Sequence, residues 1–200
     1  MIRNAKRNVG LAVLLVLAAA TAWSTEPPNQ AKVGEKAPDF TLMDQNGNQV
    51  SLSDYADKTV VLEWTNPDCP FVKRHYKAET MKKLSEKYKS KDVVWLAINS
   101  TNYADVKANQ KWVEKKGLDY AVLDDHEGKV GALYGARTTP HMFIVDKGVL
   151  AYAGAIDDDP SGSGATVNYV DQALDQVCGD HAVTTAQTKP YGCSVKYAKN

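Results

Sequence analysis

The apolar run Thr59-Val60-Val61-Leu62-Glu63-Trp64 ends shortly before Cys69-Pro70, and this succession constrains the chain more than any other. A nearly continuous apolar run reads as a strand buried on both faces. Proline suits the first helical position, where its missing N–H would lack a partner anyway. Cys69 therefore sits at a helix N-terminus, where unpaired N–H groups and the positive end of the dipole favour a thiolate. Further on, Thr138-Thr139-Pro140 leads into His141-Met142-Phe143-Ile144-Val145-Asp146. A cysteine and proline between strand and helix, with a Thr-Pro step before another strand, point to redox thiol chemistry.

Residues 1–22 read as a signal peptide. Arg3, Lys6 and Arg7 form a basic start, Val9 to Ala20 an apolar stretch, and Ala20-Thr21-Ala22 a small-residue cleavage site. The apolar stretch is shorter than the roughly 20 residues of a spanning helix, so export, to the periplasm, is expected rather than a membrane anchor. Without those three cations the count falls from 24 Lys+Arg to 21, against 24 Asp+Glu, a net −3. That balance excludes a general basic footprint for nucleic acid. Cys69, Cys178 and Cys193 are an odd set, so at least one thiol stands outside any internal pair.

Residues 23–32, with Pro27-Pro28, are expected as a flexible lead, 33–182 as one domain and 183–200 as a tail packing back on it. Asn46-Gly47 marks a hairpin between short strands near 39–43 and 49–52. A single helix is predicted from Pro70 to Tyr88, a strand over 93–98, and a helix capped by Asn102 and ended by Gly117. Later come a short strand over 120–123, a helix over 129–134, a strand pair over 141–145 and 149–155, and a helix over 167–177. This order implies a central mixed sheet flanked by helices. A doubly wound nucleotide-binding fold is excluded because no Gly-rich turn joins a strand to its helix.

Several segments carry a resemblance: Gly34-Glu35-Lys36-Ala37-Pro38-Asp39-Phe40, Asn66-Pro67-Asp68-Cys69-Pro70-Phe71-Val72-Lys73, Thr139-Pro140, Ala155-Ile156-Asp157-Asp158 and Tyr191-Gly192-Cys193-Ser194-Val195-Lys196-Tyr197. With these the chain resembles the redoxin branch of the thioredoxin superfamily, related to alkyl hydroperoxide reductase and thiol-specific antioxidant proteins. The resemblance implies a thioredoxin-like α/β fold with an N-terminal β-hairpin extension, and a thiol oxidoreductase with Cys69 as nucleophile. It also implies supporting roles for Asn66, Pro70, Thr139 and Pro140, with a cis peptide at Thr139-Pro140. Substrates would be a thiol or disulfide protein or a small thiol, with an external reductant and no cofactor or metal. The tail match makes Cys193 a candidate resolving thiol, while a Cys178–Cys193 clip stays open as the alternative.

The chain also departs from its relatives. Thioredoxins carry a second cysteine three residues after the first, where this chain has Val72, and other relatives one three residues before, where it has Asn66. Peroxiredoxins place a hydroxyl residue at the position of Asn66 and a proline at that of Leu62; Arg137 is a displaced substitute for their arginine. Weak peroxide reduction is therefore expected beside thiol–disulfide exchange. A metal (copper) or peptide binding module without turnover is the alternative function, with Cys69 and His141 as half of a copper set. His141 is otherwise a neutral hydrogen-bonded side chain, and His75 a solvated or tail-contacting one. Asp157-Asp158-Asp159 does not match a calcium loop and reads as a solvated acidic turn. Trp64 and Trp95 read as core packing.

Overall fold

The computed structural model describes Met1 and residues 30–198; the signal peptide expected over 1–22 lies outside the described segment. Among the described residues nine strands and five α-helices follow in order, with one 3-10 turn (Leu52–Tyr55) between the second and third strands: β1 (Thr41–Met43), β2 (Gln49–Ser51), β3 (Thr59–Trp64), α1 (Pro70–Lys77), α2 (Thr80–Lys89), β4 (Val93–Asn99), α3 (Val106–Lys116), β5 (Ala121–Asp124), α4 (Lys129–Tyr134), β6 (Thr138–Thr139), β7 (His141–Asp146), β8 (Val149–Gly154), α5 (Tyr169–Val177) and β9 (Cys193–Ser194). Seven strands form one sheet, ordered β2-β1-β5-β4-β3-β7-β8, and β6 pairs with β9 apart from it. β3, β4 and β5 run parallel, while β7 lies antiparallel on β3 with Trp64 opposite His141. This is the mixed sheet of a thioredoxin-like fold.

The sheet separates two apolar layers. Val61, Val72, Tyr76, Met81, Leu84, Tyr88, Trp112 and Leu174 fill the first, with Cys69. Val60, Leu62, Trp64, Ile98, Tyr134 and Phe143 fill the second. Successive β3 side chains point to opposite faces, so the central strand feeds both layers.

Two expectations need correction. The single helix over 70–88 is two helices, broken at Ala78–Glu79, where Glu79 takes a left-handed φ of 58°. The phase of the apolar residues explains the break. Val72 and Tyr76 would continue on one straight helix at Glu79, Thr80, Lys83 and Lys87, whereas the buried residues of α2 are Met81, Leu84 and Tyr88. The turn rephases the stripe onto the core. Second, the cap of α3 is Asp105, whose carboxylate accepts from Ala108 N at 2.8 Å. Asn102 holds the tail instead: its N–H donates to Lys196 O and its Nδ2 to Tyr197 O, both at 2.9 Å. Most of the lead expected over 23–32 lies outside the described residues; at its described end Ala31 N donates to Leu133 O at 3.0 Å.

Candidate active site

Cys69 ends the loop after β3 and occupies the N-cap position of α1, with Pro70 at its first helical position. Asn66 shapes that loop. Its Oδ1 accepts from Asp68 N at 2.8 Å, and its carbonyl accepts from Cys69 N at 3.0 Å. Across from the thiol, the Thr139–Pro140 peptide is cis, and Thr139 O accepts from Cys69 Sγ at 3.0 Å.

The tail closes the site. Thr188 is fixed along β8, its N–H donating to Ala153 O at 3.2 Å and its hydroxyl accepting from Ala155 N at 2.8 Å. Tyr191 then meets α1: its hydroxyl donates to Asp157 and lies 3.1 Å from His75 Nε2, while Arg74 donates to it at 3.4 Å. Gly192, at φ +143°, crosses so close that a Cβ there would fall 2.2 Å from Thr139 O, so only glycine passes. Cys193 and Ser194 pair antiparallel with Thr139 and Thr138. Beyond them Val195 N donates to Arg137 O, and the Tyr197 ring covers Gly128 and Gly131 with its hydroxyl donating to Ala136 O at 2.8 Å.

This path brings Cys69 Sγ and Cys193 Sγ, both free thiols, to 2.8 Å. Burial opposes ionisation of Cys69. The Cys193 thiol, the Thr139 hydroxyl and the backbone N–H groups of Val72 and Cys193 outweigh it and hold Cys69 below an ordinary thiol. Burial and then the neighbouring Cys69 sulfur push Cys193 up to about 11. Of the two sulfurs Cys69 is therefore the more readily ionised, and Cys193 the one that holds its proton more firmly. Cys178, at the end of α5, is half-buried and outside this pair, and burial pushes its thiol up as well. A pH titration of thiolate ultraviolet absorbance should show one low step that Cys69→Ser removes. A lowest step left unchanged by that substitution would refute the assignment.

The other candidates are dispersed. His141 is buried, accepts from Arg137 N at 3.3 Å, and is held down to about 3 by burial and then by Arg137. It lines a cavity of about 580 Å³ together with Arg137 and Tyr197, and neither Cys69 nor Cys193 lines it. No group of three or more His, Cys, Asp or Glu side chains among the described residues is placed to hold a metal. Of the two readings for His75, the tail contact is the observed one. The acidic turn over 157–159 is corrected at Asp157, which is buried beneath Tyr191.

Sequence reasoning missed Glu63. It is fully buried in β3 and accepts from Tyr76 OH and from Trp95 Nε1, each at 3.0 Å, so Trp95 is more than packing. Its signal was a single carboxylate within an apolar strand.

Comparison with known proteins shows the family of the chain. The chain belongs to the AhpC/TSA family, whose profile matches residues 33–153 and so ends before the tail that supplies Cys193. Among its relatives, "Thiol-disulfide oxidoreductase ResA" of Geobacillus kaustophilus is 34% identical over 143 residues, covering 68% of this chain and 79% of the relative. An uncharacterised conserved protein of Geobacillus kaustophilus superposes with a TM-score of 0.78 at 30% identity, covering 86% of this chain and 95% of that one. A hypothetical protein of Sinorhizobium meliloti does so at 0.77 and 28%, covering 86% and 98%.

Proposed function

We propose that this protein is an exported thiol–disulfide oxidoreductase in which Cys69 attacks and Cys193 resolves. One observation carries the reading: two thiols 2.8 Å apart with opposite ionisation preferences. The named ResA relatives and the basic, apolar and small-residue N-terminus support it.

Cys69 thiolate attacks one sulfur of a substrate disulfide. The S–S bond breaks, and the second sulfur leaves as a thiolate that takes the proton of Cys193. Cys193, now a thiolate, attacks the Cys69 sulfur of the mixed disulfide and releases the remaining substrate thiolate, which is protonated from solvent. The substrate is reduced by two electrons, the protein holds a Cys69–Cys193 disulfide, and an external dithiol reductant restores it. Cys69 is only 2% exposed beneath the tail, so Tyr191 to Ser194 lift from Thr138–Thr139 to admit the substrate. Peroxide is a poor substrate in this site. The Asn66 side chain is engaged with Asp68 N, and exposed Arg137 lines the other cavity, so neither steadies the leaving oxygen.

Cys193→Ser should trap a mixed disulfide on Cys69 when mixed with hydroxyethyl disulfide, while the unmodified chain yields a Cys69–Cys193 bridge by non-reducing peptide mapping. A Cys178–Cys193 bridge with no trapped adduct would sink the proposal. Rapid sulfenic acid formation at low peroxide would instead promote the peroxidase reading.

A further inference from the structure

We propose that the cleft between α1, α3 and the loop preceding Cys69 docks an acidic peptide segment of the substrate protein; this extends the oxidoreductase reading above to a substrate class. The cleft has a volume of about 430 Å³ and is lined by Lys73 of α1 and by Lys111, Lys115 and Lys116 of α3. None of the four forms an ion pair among the described residues, whereas Lys58, Lys87, Lys89 and Lys129 elsewhere do. Lys107 extends the α3 stripe one turn back from Lys111, at the i, i+4 spacing that shares a helix face. Four unpaired cations converge here on a chain whose formal net charge is zero.

A second observation is independent of charge. Trp112 lines the same cleft and is 94% buried, 6% of it exposed, yet its indole N–H has no acceptor among the described residues. A buried donor without a partner costs roughly 1–3 kcal/mol, and a carboxylate oxygen entering the cleft would satisfy it once the side chains that close this nitrogen off shift aside. The Trp112 ring is already braced, edge-on to Tyr76 and beneath the Lys116 ammonium.

Length and position favour a peptide over a single ion. From Ala108 to Lys116 the cleft follows α3 for ~12 Å at the helical rise, the span of about four extended residues. Its other end is Pro67 and Asp68, immediately before Cys69, and Lys73 N donates to Cys69 O at 2.9 Å. A segment lying in the cleft therefore presents a neighbouring cysteine to the nucleophile. Asp68, which accepts from Tyr103 OH at 3.3 Å, puts one anion at that end. It orients the acidic residues of the segment toward α3 and away from the thiol.

The test is fluorescence anisotropy of the full chain with a labelled, redox-inert peptide carrying acidic residues beside a serine in place of cysteine. Binding should weaken about tenfold or more when salt rises from about 20 mM to about 200 mM, and by a similar factor in Lys111→Glu/Lys115→Glu. Trp112→Phe should also weaken it, without any change of charge. Lys36→Glu/Lys147→Glu makes the same charge change at the opposite end of the sheet and should leave the affinity unchanged. Equal loss in both double variants would reduce the effect to net charge and overturn the site. So would equal or tighter binding of phosphatidylglycerol vesicles or an oligothymidylate. Reduction of hydroxyethyl disulfide by the unmodified chain is scored separately. Peptide binding without that turnover keeps the cleft and removes the oxidoreductase reading, whereas turnover without peptide binding removes the cleft alone.

Discussion

Cys69→Ser is expected to lower disulfide turnover by roughly a thousandfold or more while the chain stays folded. The size of the loss follows from the site. Val72 at the second-cysteine position cannot attack, and Cys193, at about 11, keeps its proton near neutral pH. Neither replaces the Cys69 thiolate. The fold should survive because serine is close in size to cysteine and suits the N-cap position that Cys69 occupies at α1. Turnover of hydroxyethyl disulfide, with thermal unfolding followed by circular dichroism, measures both halves. A folded variant with full activity would remove Cys69 from the mechanism.

The second large effect concerns stability and arises at Glu63. Burial raises its carboxyl from the ordinary 4.5 to about 7, against the opposing hydrogen bonds from Trp95 and Tyr76. In that interval the folded chain holds a proton that the unfolded chain has released, so stability falls as pH rises. The contribution is fully present below about 4.5 and lost through about 7. At 1.36 kcal/mol per unit, this one group accounts for roughly 3 kcal/mol across the window. Glu63→Gln stays neutral throughout and keeps an acceptor for Trp95 or Tyr76. Denaturant unfolding should therefore show the variant gaining on the unmodified chain by roughly 3 kcal/mol between acid and mildly alkaline pH. Parallel pH profiles would mean that Glu63 is already ionised in the folded state.

Much of the architecture was legible because local chemistry and burial agreed. The apolar runs at β3, β4 and β7, Asn46-Gly47 between β1 and β2, and Gly117 and Gly135 after α3 and α4 all carry their own signals. The boundaries that went wrong had competing signals. Asn102 and Asp105 are both competent caps, and Asn102 was drawn to the carbonyls of the tail. The break at Glu79 was written in the sequence as a slip in apolar phase, but strong helix formers on both sides concealed it. Tyr191 and Asp157, 34 positions apart, gave no local sign of their bond.

The sequence by itself determined that a thiol would stand at the start of a helix after a buried strand, opposite a Thr-Pro step. Those properties depend on near neighbours: the Cys69-Pro70 succession, the apolar β3 run and the turn residues around them. It left open whether Cys193 would meet Cys69 or Cys178, with the tail resemblance pointing to Cys69. Tertiary structure supplies the proximity that no local signal could. The seats for Tyr191, Gly192 and Tyr197 come from α1, β6 and α4, distant in sequence, and only their assembly carries Cys193 to within 2.8 Å of Cys69. The same assembly made Glu63 a buried carboxyl and left the α3 lysines without an ion pair among the described residues. Burial and long-range pairing belong to the whole sheet and its layers, and no short stretch of chain encodes them.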